Sequence, residues 1–151
     1  MSSINIALPE GFGYVPGALM SIGWVLLWQT FLVGRQRKRS GVRYPQLYAE
    51  QAEVKASKEA LQFNCAQRAH QNTLESVHLI AMGTVIAGLQ YPVLGSALCG
   101  GWSFARVIYT LGYNTGNPSK RVPGAILGNF LMLGVLLTGS YSALRFVCPA
   151  L

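Results

Sequence analysis

Apolar residues along this chain fall into four blocks separated by polar gaps. The first covers about 12–34, FGYVPGALMSIGWVLLWQTFLVG. The second covers about 63–90; it opens with polar residues and becomes apolar from Val77 to Leu89. The third covers about 93–113, with Arg106 its only charge, and the fourth about 122–146. A hydrocarbon core ~30 Å thick takes about 20 residues of helix. Blocks one, three and four each reach that length, and block two reaches it if its polar opening is helical. The turn residues agree. Tyr91-Pro92 breaks the chain between blocks two and three, Gly116-Asn117-Pro118-Ser119 ends block three, and Pro123 suits the first turn of a fourth helix. The one long connection, 35–60, contains AEQAEVKASKEAL. That stretch reads either as a short surface helix or as an extension of the second span. The pattern predicts an all-α integral membrane protein, a single domain over 1–151 built as a four-transmembrane-helix bundle.

Composition supports the pattern. Of 151 residues, 51% are hydrophobic and 11% charged, with a mean hydropathy of +0.33. Soluble domains carry about 25% charge, and four such greasy helices in so short a chain would leave a soluble fold too little polar surface. Block one reads as a span and not a cleaved leader, because its apolar run is long and basic residues follow it. The basic residues set the orientation. Arg35, Arg37, Lys38, Arg39, Arg43, Lys55 and Lys58 lie between blocks one and two, and Lys120 and Arg121 between three and four. The positive-inside rule places both connections in the cytosol and both termini on the luminal side, with Arg145 a minor exception. The net charge of +7 therefore expresses orientation and attraction to anionic headgroups. Nucleic-acid binding is excluded as a reading, since no accompanying motif is present.

Two polar clusters interrupt the apolar pattern. At 100° per residue, Arg68, Asn72 and Glu75 fall within about 60° of one another on the second helix. Arg106, Tyr109 and Tyr113 share a face of the third. Both clusters lie toward the cytosolic ends of their helices. An arginine at mid-bilayer costs roughly 2.5–3.5 kcal/mol, less near an interface, so such charges are functional candidates by default. The competing reading is an internal Arg68–Glu75 pair that only fixes packing. Asn64 reads as a cap near the start of the second helix. Glu75 and His78 have the spacing of a di-iron ligand pair but lack the further carboxylates, so no metal is expected. Cys65, Cys99 and Cys148 read as free thiols. The final Cys148-Pro149-Ala150-Leu151 has the form of a prenylation box, discounted because the expected luminal terminus is hidden from cytosolic enzymes. Small residues (Gly83, Gly88, Gly95, Gly100, Gly101, Gly128, Gly134 and Gly139) favour close helix approach, and polar groups near the membrane favour an oligomer with those groups at the subunit seam.

The run Arg68-Ala69-His70-Gln71-Asn72-Thr73-Leu74-Glu75 resembles the signature of the membrane-associated proteins in eicosanoid and glutathione metabolism, the MAPEG family. The wider stretches FNCAQRAHQNTLE and ARVIYTLGYNTGNPSKR are most similar to its type-three microsomal glutathione transferases, and the likeness extends over about 11–146. The resemblance implies a homotrimer in the endoplasmic reticulum membrane, with the mitochondrial outer membrane as the alternative, and a glutathione site between subunits facing the cytosol. Carried over by position, it implies that Arg68, Asn72, Glu75, Arg106, Tyr109 and Tyr113 bind glutathione. Arg37 would contact one of its carboxylates, with Arg35, Lys38 and Arg39 as rivals, and Arg121 would be the catalytic residue that activates the thiol. The residue types suit the ligand independently. Arginine forks match the two carboxylates of glutathione, and Glu75 matches its ammonium. A thiol of pKa about 8.5 is only ~3% thiolate at pH 7; lowering that pKa by about 2 with an adjacent guanidinium takes ~2.7 kcal/mol.

Two positions depart from the family pattern. His78 and Leu79 stand where relatives carry a proline that bends the second helix, and Ser76 stands where leukotriene C4 synthase has a tyrosine. The resemblance nonetheless implies a glutathione transferase and peroxidase acting on lipophilic electrophiles or lipid hydroperoxides arriving from membrane lipid. Conjugation of the leukotriene C4 synthase type falls within that range. The alternative is a non-enzymatic lipid-binding scaffold resembling 5-lipoxygenase-activating protein. A transporter would place its polar groups at the midplane, and here they cluster at one end.

Overall fold

The computed structural model describes residues 8–148. Five α-helices and a 3₁₀ turn make up the ordered elements, with no strand among the described residues. The helices are α1 (Tyr14–Ser40), α2 (Gln51–Ala56), α3 (Lys58–Gly88), α4 (Pro92–Tyr113) and α5 (Val122–Val147), with the turn at Pro118–Arg121. The four long helices run antiparallel in sequence order. α3 and α4 sit centrally, each touching the other three long helices.

Helix ends follow local chemistry. α1 continues to Ser40 instead of stopping near Gly34, so the connection expected over 35–60 is shorter than the polarity pattern suggests. Gly41, at φ 73°, takes the left-handed C-cap position and donates its N–H to the Arg37 carbonyl. Arg37, Lys38 and Arg39 then occupy the last turn, where cations suit the helix dipole. The connecting stretch forms both of the helices considered for it. α2 is a separate short helix closed by a Glu50–Glu53 capping box, and α3 begins early, at Lys58. Ser57 caps α3, its hydroxyl accepting from the Ala60 N–H. Asn64 is therefore not a cap. It lies one and a half turns inside α3 and clamps the connection, accepting from the Ala49 N–H at 2.7 Å and donating to the Ala49 carbonyl at 2.9 Å.

The core contains residues from every long helix: Ile22, Ile80, Cys99, Trp102 and Val135. Close approach depends on glycine at Gly83, where a Cβ would meet Val135 Cγ1 at 2.6 Å. The outside is apolar as well. Trp24, Phe31, Phe104 and Phe130 are each more than 60% exposed. Two segments, Tyr14–Ser40 and Pro118–Val147, are long and apolar enough to cross a membrane, their most apolar 18-residue stretches having mean hydropathies of 1.5 and 1.7. Only 17% and 22% of their apolar windows is buried, whereas the core helix of a soluble protein would be mostly buried. α3 and α4, which carry the polar clusters, do not pass the same test. At 1.5 Å per residue α3 is ~46 Å long, against a hydrocarbon thickness of ~30 Å. Its first turns therefore stand clear of any apolar slab that ends at Gly88, and Arg68 falls near the slab's boundary. α3 runs without interruption past His78 and Leu79.

Candidate functional site

The ends of α1 and α4 and the beginnings of α3 and α5 meet at one end of the bundle. Two glycines let the chain close there. A Cβ on Gly112 would lie 2.1 Å from the Lys120 carbonyl oxygen, and one on Gly124 would lie 2.3 Å from the Tyr109 nitrogen. With hydrogen in both places, the 3₁₀ turn and the start of α5 press directly on α4. Asn117 steadies the turn by accepting from the Ser119 N–H at 3.0 Å. Arg121, at the end of that turn, is thereby returned to α4, where its Nη1 donates to the Tyr113 hydroxyl at 2.6 Å.

From Tyr113 a continuous series of contacts leads across the site. Tyr109 meets Tyr113 edge-to-face, with centroids 5.6 Å apart. The Arg106 guanidinium stacks 4.1 Å from the Tyr109 ring centre. Arg106 Nη2 donates to Asn72 Oδ1 at 2.7 Å. Asn72 Nδ2 donates to Glu75 Oε2 at 3.3 Å, and Glu75 pairs with Arg68 at 2.7 Å. Seven of the expected residues (Arg68, Asn72, Glu75, Arg106, Tyr109, Tyr113 and Arg121) thus form one connected group. The Arg68–Glu75 pair weighed from spacing is formed, and it belongs to that group. Both partners remain open to the surroundings, with side chains 41% and 46% exposed. Arg106 is only 4% exposed.

Arg37 is not brought into this group. Its Nη1 donates to the Gln46 carbonyl at 2.7 Å, and its guanidinium lies 4.3 Å from the Tyr44 ring centre and 4.5 Å from that of Phe63. Within one chain it closes the connection between α1 and α2 over a small apolar cluster that includes Val42, Ala49 and Phe63.

The structure adds partners that spacing did not indicate. Gln29 of α1, 1% exposed, donates to Thr73 and Thr110. Thr73 in turn accepts from Arg106 Nε at 3.1 Å. Gln36 donates to Asn114 Oδ1 at 2.8 Å. Tyr48 donates to Gln71, tying the long connection to α3. Cys65 packs with Ala69, Tyr109 and Tyr113 beneath the site. The available signal was faint: Gln29 and Gln36 are seven residues apart on one face of α1, the first of them inside an apolar block.

The site's charge is unbalanced. The guanidiniums of Arg68, Arg106 and Arg121 face a single carboxylate, Glu75. Arg106 uses two of its five N–H donors on protein acceptors among the described residues. Such an arrangement suits a small ligand with several anionic groups and one cationic group. An all-helical, outwardly apolar bundle with a cationic group at one end defines an integral membrane protein. The model of the MAPEG family matches residues 15–141, and the chain belongs to that family. The family includes glutathione transferases and proteins of lipid metabolism, with non-enzymatic members beside the glutathione-dependent enzymes.

Proposed function

We propose that this protein is a glutathione transferase with peroxidase activity, working on lipophilic electrophiles or lipid hydroperoxides. The observation that carries the reading is the connected group from Arg68 to Arg121. Three guanidiniums against one carboxylate leave two positive charges in excess. Glutathione with its thiol ionised carries two carboxylates, a thiolate and an ammonium, a net charge of −2. Arg68 and Arg106 take the carboxylates as bidentate partners, and Glu75 takes the ammonium. Arg121, oriented by Tyr113, stabilises the thiolate, and the proton leaves to water. The thiolate then adds to an electrophilic carbon, and the product acquires its proton or loses its leaving group. With a hydroperoxide, the thiolate attacks the terminal oxygen, the O–O bond breaks, and the alkoxide that leaves takes a proton from water to become the alcohol. A second glutathione displaces water from the resulting sulfenic acid, and glutathione disulfide departs.

All four long helices cross the bilayer in this reading, with the polar end in the cytosol, the termini luminal, and the endoplasmic reticulum as the host membrane. The exposure of the Arg68–Glu75 pair supports assembly as a homotrimer, in which a neighbour covers it. Arg37 joins the site only across such a seam.

The test is glutathione thiolate absorbance in purified protein, followed by turnover of chlorodinitrobenzene and of a lipid hydroperoxide. Wild-type protein should show the thiolate signal and Arg121→Ala should lose it. Arg68→Ala should weaken glutathione binding. Lipid binding without a thiolate signal in the wild type would identify instead a scaffold resembling 5-lipoxygenase-activating protein.

A further inference from the structure

Gln29 belongs to no motif, yet it sits where three helices meet. Its Nε2 donates to Thr73 Oγ1 of α3 at 2.9 Å and to Thr110 Oγ1 of α4 at 2.8 Å. Each threonine has already given its one hydrogen to its own helix: Thr73 to the Ala69 carbonyl at 3.0 Å, Thr110 to the Arg106 carbonyl at 2.7 Å. Both hydroxyls can therefore only accept from Gln29, and the amide has a single compatible orientation. Its Oε1 is left facing His70 Nδ1 at 3.4 Å. Gln29, Thr73 and Thr110 are each at most 1% exposed.

Thr73 is the branch that matters for chemistry. With its hydrogen committed and one lone pair held by Gln29, its remaining lone pair meets Arg106 Nε at 3.1 Å. Asn72 Oδ1 holds Nη2 of the same guanidinium, and the Tyr109 ring supports its face. The guanidinium plane is thus fixed by Thr73, Asn72 and Tyr109, with Nη1 turned to none of them. We propose that Gln29 is a positioning residue for Arg106, acting through Thr73, so that the arginine meets an anionic ligand already oriented. The role rests on the glutathione reading above insofar as the ligand is a glutathione carboxylate; the orientation of Arg106 does not.

The test uses full-length protein in lipid nanodiscs. Gln29→Met keeps the length and removes the donor. It should raise KM for glutathione about tenfold while kcat stays within about twofold, the range for one lost charge-linked hydrogen bond. Thr73→Val should do the same, and Thr73→Ser, which keeps the hydroxyl, should restore the wild-type KM. The double variant Gln29→Met/Thr73→Val should be no worse than the poorer single, since both act on one path. Thr110→Val removes the other arm of Gln29 without touching the guanidinium, so it should lower thermal stability and leave KM alone. Equal KM changes for Thr110→Val and Gln29→Met would overturn the proposal and make Gln29 simple helix-to-helix glue; so would an unchanged KM in Gln29→Met. A ligand-free readout separates this from the functional reading. The Nε–H resonance of Arg106, assigned by Arg106→Lys, should move in Gln29→Met and Thr73→Val but not in Thr110→Val. If wild-type protein ignores glutathione, the functional reading fails and this resonance still decides the positioning role.

Discussion

The two halves of the bundle are held together differently. Around Ile22, Ile80, Trp102 and Val135 the helices meet chiefly through shape, with glycine making room for a neighbour's methyl groups and one directed bond, Ser21 to Ser103 at 2.8 Å, beside them. Around Gln29, Thr73, Arg106 and Thr110 they meet through directed hydrogen bonds, each of the bonded hydrogens having one assigned acceptor. Contacts of the first kind are individually weak and exchangeable, so volume can be traded between neighbours. Contacts of the second kind are not exchangeable, because a buried donor or acceptor that loses its partner keeps the full cost of desolvation. The apolar half can thus vary while the polar end stays fixed, which suits a protein whose chemistry is confined to one end.

The largest effect that would sharpen this contrast is expected at Gly112. A Cβ there would lie 2.1 Å from the Lys120 carbonyl oxygen and 2.8 Å from the Lys120 carbonyl carbon, both backbone atoms. No rotamer change relieves that, so in Gly112→Ala the turn carrying Arg121 has to shift. A displacement of about 1 Å costs on the order of a hundredfold in rate. We expect kcat/KM to fall by about that factor, with loss of the thiolate signal. Retained activity would show that Arg121 does not need its present position.

A smaller and reversible effect is expected in the apolar half. At Gly83 the obstructing atom is a side-chain carbon, Val135 Cγ1, at 2.6 Å. Gly83→Ala should destabilise by about 1–3 kcal/mol, the usual cost of overpacking. Adding Val135→Ala should recover much of it, as read from thermal unfolding in detergent, with activity little changed throughout. Absence of rescue would mean that the apolar half is as unforgiving as the polar end, and the contrast would break.

What the sequence revealed follows the same division. Long apolar runs and Pro- or Gly-rich turns report on local structure, so the four long helices and the break at Tyr91-Pro92 were legible. Periodicity placed Arg68, Asn72 and Glu75 on one face, and Arg106, Tyr109 and Tyr113 on another. Contacts between distant segments left little trace. Gly112 and Gly124 matter because another stretch of backbone arrives beside them, which spacing within α4 or α5 does not encode. Gln29 looks like any isolated polar residue in an apolar block until Thr73 and Thr110 are placed against it. The basic run after Gly34 looked like a connection by polarity, whereas Gly41 determines where α1 stops. Arg37 matched the family pattern by position, but Gln46, Tyr44 and Phe63 engage it within the chain. Asn64 had the right residue type for a cap, and Ser57 occupies that position.

The smallest expected effect lies at the start of α3, outside both halves. The Ser57 hydroxyl accepts from the Ala60 N–H at 3.3 Å and donates to Glu59 Oε2 at 3.0 Å. Ser57→Ala removes the cap and should cost about 1 kcal/mol. The Glu59 carboxyl is held below its ordinary range, first by a hydrogen bond from its own backbone N–H and then by the Ser57 hydroxyl. A carboxylate depressed in the folded state stabilises fully above its unfolded pKa, and that contribution is lost as pH falls through the folded value. Stability should therefore decline slightly on acidification, and Glu59→Gln should flatten the decline. Because Glu59 is fully exposed, salt should weaken its effect. Neither substitution should alter KM for glutathione, since the Ser57 hydroxyl bonds only Ala60 and Glu59 and reaches no member of the Arg68-to-Arg121 group. A shifted KM in Ser57→Ala would mean that the orientation of Arg68 depends on how α3 begins, and the polar end would then extend a full three turns further than its hydrogen bonds indicate.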